Sequence, residues 1–500
     1  MLIIVCGLPG SGKSYFASNF AQQLDAKYLN SDRERKVLTQ QPSYQSSSKE
    51  LVYDVLLDKT TKAIHQGSNI LVDATFYKKS LRQKFLHIAQ AAKQAAYLIE
   101  IIADDPTTRK RLALKRKYSD ADYAVHQRVK AVFEPIQADH LVLKSTNDNL
   151  NEMLTTATQE ILFKEQKRRI YKLIESGDFM GSPFSKRSIE THISWVIFCK
   201  QYAFKIKKQL KLPFLDYSSI EKRKEGCQNE LSLNQRFSSI YLNVLPIKEL
   251  GDQYSLGNNS GEVVDYAVQM KKLQEAKRMD HVLTHRSIRP AELDGLAKKI
   301  AHFHTNAKKV LTPFNLTASK EDFNDILSQE QFIAEQLGQA YLDKLHLAIQ
   351  FSDAFLNQHN QLLESRVLNG YQRDLHGDLH CGNIFLYKEP ILFDCIEFNP
   401  HFRQIDILNE IAFLAMDLES KGFKQYSDQF TTVYLNYLSD PLTSTTLQLL
   451  NYYKCYRANI RAKVSCIRAN QMKQSNKAKA ELTQIKKYLD LMHSYSVLYT

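Results

Sequence analysis

At 500 residues, 43% hydrophobic and 24% charged, the chain is longer than one hydrophobic core usually serves and has the composition of a globular protein of roughly two to four domains. That composition excludes a disordered chain, no apolar run approaches the roughly 18 residues of a transmembrane helix, and the seven cysteines are scattered without a Cys-x-x-Cys pair, against a disulfide framework or zinc site. A net charge of +13 favours an anionic partner: nucleotide, phosphorylated metabolite or nucleic acid.

The first apolar stretch, Leu2 to Cys6, lacks the length, basic flank and cleavage site of a signal peptide, so a cytoplasmic protein is expected. It reads as a buried strand and runs directly into Gly7-Leu8-Pro9-Gly10-Ser11-Gly12-Lys13-Ser14, which is G-x-x-x-x-G-K-S in the strand-loop-helix setting that this motif needs. Gly7, Pro9, Gly10, Ser11 and Gly12 then form a backbone cradle for phosphates. Lys13 reaches the β and γ phosphates of ATP, and the Ser14 hydroxyl binds Mg²⁺. A second strand, Ala26 to Leu29, brings Asp32 near the carboxyl edge of a parallel sheet, where ligands bind, so Asp32 is placed to meet an acceptor hydroxyl. Thr39 to Ser48 reads as a polar loop, either a plain connector or a cover over substrate. The strand Ile70 to Asp73 ends in a carboxylate that could orient the Mg²⁺-bound water or the acceptor, with Thr75 and Arg82 continuing the site. The strand Tyr97 to Ala103 leads into a helix bearing Arg109, Arg111, Lys115 and Arg116.

Residues 1 to about 160 resemble the P-loop kinase group that includes zeta toxin, chloramphenicol phosphotransferase and the polynucleotide 5′-kinases. The resemblance rests on Gly7 to Ser14, Ser31-Asp32, Asp73-Ala74-Thr75 with Arg82, and the Arg111 helix. It implies that this helix is a lid whose Arg111, with Lys115 or Arg116 as a second basic position, stabilises the transferring phosphate.

Residues 163–185 are expected to be a basic helix, Phe163 to Ser176, and a glycine-, proline- and serine-containing linker. They separate a P-loop domain at 1–162 from a second domain at 186–500, with a smaller lobe at about 186–275 and a larger helical lobe at about 276–500. Ser188 to Phe198 and Tyr202 to Ile206 read as two strands of a hairpin, Lys222 to Phe237 as a helix, and Tyr266 to Met270 as a strand. Tyr202-Ala203-Phe204-Lys205 resembles the kinase strand whose lysine grips the α and β phosphates. That implies Lys205 on ATP, Glu230 as the carboxylate positioning it, and Met270 at the hinge against adenine. Lys207 points to the same strand face as Lys205, so the choice between them stays open.

His376-Gly377-Asp378-Leu379-His380-Cys381-Gly382-Asn383 is followed by two apolar runs around Lys388-Glu389-Pro390, which read as an antiparallel hairpin. Folding it brings Asn383 beside Asp394, with Asp378 on the entering loop. An amide oxygen and a carboxylate suit Mg²⁺, and Asp378 can accept the proton of an attacking hydroxyl. His376-x-Asp378-x-x-x-x-Asn383 resembles the catalytic loop of aminoglycoside phosphotransferases, which implies Asp378 as base and Asn383 with Asp394 as metal ligands. Asp406 is expected to hydrogen-bond this loop, and the helix Tyr456 to Lys463 carries positive charge that could receive an anionic substrate.

The fold class expected is an α/β P-loop NTPase domain, a parallel sheet flanked by helices, followed by an α+β protein-kinase-like two-lobed domain. The function expected is ATP- and Mg²⁺-dependent transfer of the γ-phosphate to a hydroxyl of a small-molecule or nucleotide acceptor, with no membrane partner. The alternatives are a nucleic-acid kinase using the basic second domain for binding, and a nucleotide-sensing regulator with one non-catalytic site.

Overall fold

The computed structural model describes residues 1–38, 46–114, 121–212, 215–257, 260–438, 443–471 and 476–497. Most of the predicted loop Thr39 to Ser48, and both Lys115 and Arg116, lie outside the described residues. The chain forms two compact units, Met1–Lys172 with Lys208–Leu210, and Leu173–Lys207 with Lys211–Thr500.

The first unit is built on five parallel strands: β1 (Leu2–Cys6), β2 (Lys27–Asn30), β3 (Ile70–Asp73), β4 (Ala96–Ile102) and β5 (Leu141–Lys144), in the order β2-β3-β1-β4-β5. Because strand side chains alternate, Leu2, Ile4 and Cys6 join Ile70 and Val72 in one core, while Ile3 and Val5 join Phe16, Phe20, Leu71 and Ile99 in another. Burial on both faces explains why these strands are continuously apolar. The carboxyl ends of β1, β2 and β3 share one sheet edge, where the loop after Cys6 feeds helix α1 (Lys13–Gln23) and β2 feeds α2 (Ser31–Leu38). Helix α3 (Leu150–Ser176) is continuous, so Phe163 to Ser176 prolong a helix already begun, and the division between the units falls within it.

In the second unit, the stretch expected to be a linker contains a small hairpin, Asp178–Phe179 with Ser182–Pro183. The aromatic rings in it decide this: Phe179 and Phe184 pack edge-on against Phe204. The stretch expected as one strand from Ser188 to Phe198 is broken at Thr191, whose hydroxyl accepts from the Ser194 N–H at 2.9 Å, giving β6 (Ser188–Glu190) and β7 (Ser194–Phe198). With β8 (Tyr202–Lys207), β9 (Tyr241–Leu250), β10 (Gln253–Leu256) and β11 (Glu262–Lys271) they form an antiparallel sheet in the order β10-β9-β11-β8-β7-β6. Helix α4 (Ile220–Asn234) packs on it. The larger lobe is helical and carries the short hairpin β12 (Ile384–Phe385) and β13 (Ile391–Leu392), paired Ile384 to Leu392. At its centre α5 (Ile407–Ser420) is buried nearly all round, against α6 (Ser444–Gln471), which pairs with α7 (Asn476–Val497). The fold is thus a P-loop α/β unit followed by a kinase-like two-lobed unit. Among the described residues no helix is long and apolar enough to cross a membrane.

Candidate active sites

The loop after β1 closes by backbone rather than side-chain chemistry. Gly12 sits at φ +93°, and a Cβ there would lie 2.6 Å from Ser145 Oγ and 2.8 Å from Arg111 Nη1. Gly12→Ala therefore combines a left-handed strain of about 1–2 kcal/mol with a steric intrusion. A loss of about tenfold or more in ATP affinity at this site is expected, measured by equilibrium dialysis. Arg111 donates through Nη1 to the Ser11 carbonyl at 3.1 Å and through Nη2 to the Thr146 carbonyl at 2.6 Å, and burial pushes its pKa down. It braces the phosphate loop from its base, while Arg109 pairs with Asp105 at 2.6 Å.

Asp73 is fully buried at the end of β3, and its Oδ2 accepts from the Tyr28 hydroxyl at 2.8 Å and from Asn30 Nδ2 at 2.5 Å. Among the described residues its Oδ1 has no hydrogen-bond partner. Asn30 Nδ2 also lies 3.4 Å from Ser14 Oγ, so Ser14, Asn30 and Asp73 form one cluster. Burial raises the Asp73 carboxyl, and Lys13, then Ser14, oppose the rise. An orphaned buried carboxylate oxygen in a cluster with a hydroxyl fits a hard cation such as Mg²⁺, which takes oxygen ligands. Asp32 pairs with Arg35 at 2.7 Å at the start of α2, whose Asp32 and Arg33 N–H groups are capped by Asn30 Oδ1 at 3.1 and 2.9 Å. Asn30 escaped the sequence reading, although an asparagine at a strand-to-helix junction is a capping signal. Arg82 is not part of the site's mouth: it is buried and donates to the Phe76 and Glu134 carbonyls at 2.7 and 2.9 Å.

In the second unit Lys205 and Lys207 share a face of β8, and Glu230 of α4 takes both. Lys205 Nζ lies 2.8 Å from Glu230 Oε1 and 2.5 Å from Asp394 Oδ1. Lys207 Nζ bonds the other Glu230 oxygen and Glu397, whose Oε1 also accepts from the Tyr217 hydroxyl at 2.9 Å. Of the two lysines, Lys205 alone meets Asp394. Asp394 stands at φ +65°, a left-handed conformation that aspartate tolerates better than most residues, and its N–H donates to the Tyr241 hydroxyl at 3.0 Å. Met270 pairs across the sheet with Ala203 and Tyr241.

The loop between His376 and Asn383 is held from several sides. Nε2–H of the buried His376 donates to the Phe393 carbonyl at 2.9 Å and its Nδ1 accepts from the Asp378 N–H at 3.3 Å, and burial lowers its pKa, so the ring is neutral. Asn383 Nδ2 donates to Asp378 Oδ2 at 3.0 Å, which leaves its Oδ1 as the atom a cation could take. The Asp378 side chain is 36% exposed, with Oδ2 3.5 Å from His380 Nε2. Burial would raise its carboxyl, but His380 and Arg461 hold it well below the usual carboxylate range.

No hydrogen bond among the described residues ties Asp406 to this loop. Asp406 pairs with Arg366 through both oxygens, at 2.5 and 2.8 Å, and caps α5 through the Leu408 N–H at 2.8 Å. The carboxylate that holds the loop is Glu410, which accepts from the N–H groups of His376, at 3.0 Å, and Gly377, at 2.7 Å, and lies 3.1 Å from His304 Nε2. Two turns on, Asp417 Oδ2 accepts from the Cys381 N–H at 2.9 Å. The sequence carried a signal for both: two acidic residues on one face of an otherwise apolar helix must have buried partners. Glu410→Gln should therefore cost about 1.5–3 kcal/mol, read as a lowered Tm, because a neutral amide replaces charge-assisted bonds to two loop N–H groups.

Fold and site geometry define a chain of two units of unrelated design, the first built on a P-loop. A family model described as an AAA domain matches residues 2–136. Uncharacterized proteins of Mycobacterium tuberculosis and Mycobacterium bovis are 31% identical over 288 residues, which is 57% of this chain and 55% of theirs. The chain thus spans about half the length of the curated relatives it matches. Among solved structures, an aminoglycoside 2′-phosphotransferase-IIIa bound to GDP is 13% identical with a TM-score of 0.39, over 67% of this chain and 97% of its own. A choline/ethanolamine kinase family protein from Mesorhizobium loti is 12% identical with a TM-score of 0.38, over 68% of this chain and 99% of its own. The APS kinase of Mycobacterium tuberculosis is 14% identical with a TM-score of 0.25, over 32% of this chain and 96% of its own.

Proposed function

We propose that this chain is an ATP- and Mg²⁺-dependent phosphotransferase with two kinase-type nucleotide sites, each moving the γ-phosphate of ATP to a hydroxyl. The observation that carries the reading is in the second unit, where Asp378 and Asn383 meet at 3.0 Å and Lys205 ties Asp394 to Glu230. Lys205 grips the nucleotide phosphates, with Met270 at the adenine side. Asp378 orients the acceptor hydroxyl. Its oxygen bonds to the γ-phosphorus, the bond to the β–γ bridging oxygen breaks, ADP leaves, and the hydroxyl proton passes to Asp378. In the first unit Lys13 and the loop N–H groups hold the phosphates, Arg111 stiffens the loop, and Asp32 or Asp73 faces the acceptor. Mg²⁺, held by Asn383 and Asp394 in one unit and by Ser14 with Asp73 in the other, would offset charge on the phosphate oxygens.

The test is incubation of the full chain with γ-labelled ATP, Mg²⁺ and cell extract separated into small-molecule, RNA and protein fractions, beside Lys13→Ala and Asp378→Asn. Label that enters one fraction and is lost in one variant assigns acceptor class and unit together. Label in RNA with an affinity that falls steeply with salt would instead favour the nucleic-acid kinase. ATP binding without transfer to any fraction would replace the enzyme by the regulator.

A further inference from the structure

Resting on the phosphotransferase reading of the second unit, the geometry points to the class of its acceptor. Around the loop that carries Asp378, α6, α7 and the residue that follows α5 bring cations together. From α6, the buried Arg457 donates to the Gly377 carbonyl at 3.2 Å and stacks over the Phe413 ring at 4.9 Å. His380, beside Asp378, packs on the same ring with centroids 5.6 Å apart. One turn beyond Arg457, on the same helix face, is the half-buried Arg461. Its Nε donates to the Tyr488 hydroxyl of α7 at 3.3 Å, and no hydrogen bond among the described residues engages its two terminal nitrogens. Next to Tyr488, Lys487 is half-buried and makes no hydrogen bond or ion pair among the described residues. From α5, Asp417 lies 3.4 Å from Lys421 while its other oxygen is used on the loop.

Arg461 and Lys487 are thus half-buried cations without a bonded counter-charge among the described residues; burial lowers Arg461, but Tyr488, Asp417 and Asp378 outweigh it through space, whereas Lys487 is left less compensated. Burial, reinforced by Lys421, pushes the Lys487 ammonium below its ordinary value, as expected of a cation that lacks full compensation. The planar Arg461 fork has two donors left for a carboxylate or phosphate. A cationic acceptor would meet Arg461, Lys487 and Lys421 there, while Asp417 is already committed to Lys421 and the Cys381 N–H. We infer that the second unit phosphorylates a small anionic hydroxyl compound, whose phosphate or carboxylate is held by Arg461 and Lys487 while its hydroxyl lies at Asp378.

The probes are glycerol 3-phosphate and glycerate as anions, glycerol as the neutral analogue and choline as the cation, titrated calorimetrically into the full chain carrying Lys13→Ala. A non-hydrolysable ATP analogue and Mg²⁺ are present throughout. Glycerol 3-phosphate or glycerate is expected to bind about tenfold or more tightly than glycerol and choline, the worth of one or two charge-assisted bonds. Arg461→Gln and Lys487→Gln should each reduce that preference several-fold, with Lys320→Gln, whose Nζ donates to Asn357 Oδ1 at 2.8 Å, as the control. Whichever anion is preferred identifies the group. Equal binding of all four probes, including none, overturns the inference, as does an anion preference indifferent to both variants. This binding readout involves no transfer, so its failure is distinct from loss of the phosphotransferase reading, which label transfer by Asp378→Asn decides.

Discussion

Asp378→Asn is expected to lower phosphoryl transfer by the second unit by about 10²- to 10⁴-fold, the usual contribution of a positioned general base. The substitution preserves size and can still accept from Asn383 Nδ2, now at 3.0 Å from the carboxylate, so the loop should keep its shape. Lys205, Glu230 and Asp394 are bonded to one another and not to Asp378, so the KM for ATP should change far less than kcat. The electrostatics refine the magnitude. Burial raises this carboxyl, yet His380 and Arg461 bring it below the usual range, which makes Asp378 a weak base at neutral pH. Its work is then chiefly to orient the hydroxyl, and a loose phosphoryl-transfer transition state asks for little more. The loss should fall toward the lower end of the range, and the pH–rate profile should show no acid limb from this group above about pH 4. Full activity in the variant would remove this unit from the kinases.

The parts legible in the sequence are those written in short range. Leu2 to Ser14 is strand, turn and helix start in consecutive residues, and the pairing of Ile384 with Leu392 follows from two apolar runs around a proline turn. What escaped was long range. Glu410 reaches His376 and Gly377 from more than thirty positions away: its place on an apolar helix signals a buried partner, but no local pattern says which, and the nearby Asp406 pairs with Arg366 instead. Arg82 illustrates the same limit: its buried bonds to main-chain carbonyls, not its charge, decide where it goes. The hairpin within the expected linker went unread for a different reason, since glycine and proline set its turns while Phe179 and Phe184 set its packing.

Replacing Glu230 should produce the largest change in stability. It is fully buried between two buried lysines, and Glu230→Leu leaves both ammonium groups short of a partner. Breaking a buried pair from one side costs about 3–5 kcal/mol, which calorimetry should read as a fall in the second unit's Tm on the order of 10 °C. Removing charge from both sides should cost less: in the double variant Lys207→Met with Glu397→Leu, Glu230 keeps Lys205 and no ammonium is stranded. Burial raises the Glu230 carboxyl, but Lys205 and Lys207 outweigh it and bring the pKa down to about 2 from an ordinary 4.5. A depressed carboxyl contributes stability above its unfolded pKa, so this contribution is full above pH 4.5 and lost as the pH falls toward 2. Lys205 and Lys207 are both raised above 10.5, so their share is full below that pH and is lost only as the pH rises beyond it. Between pH 4.5 and 3 the wild-type chain should therefore lose stability faster than Glu230→Gln. Parallel slopes would mean that the two lysines stabilise the Glu230 carboxylate no better in the folded unit than water does in the unfolded chain.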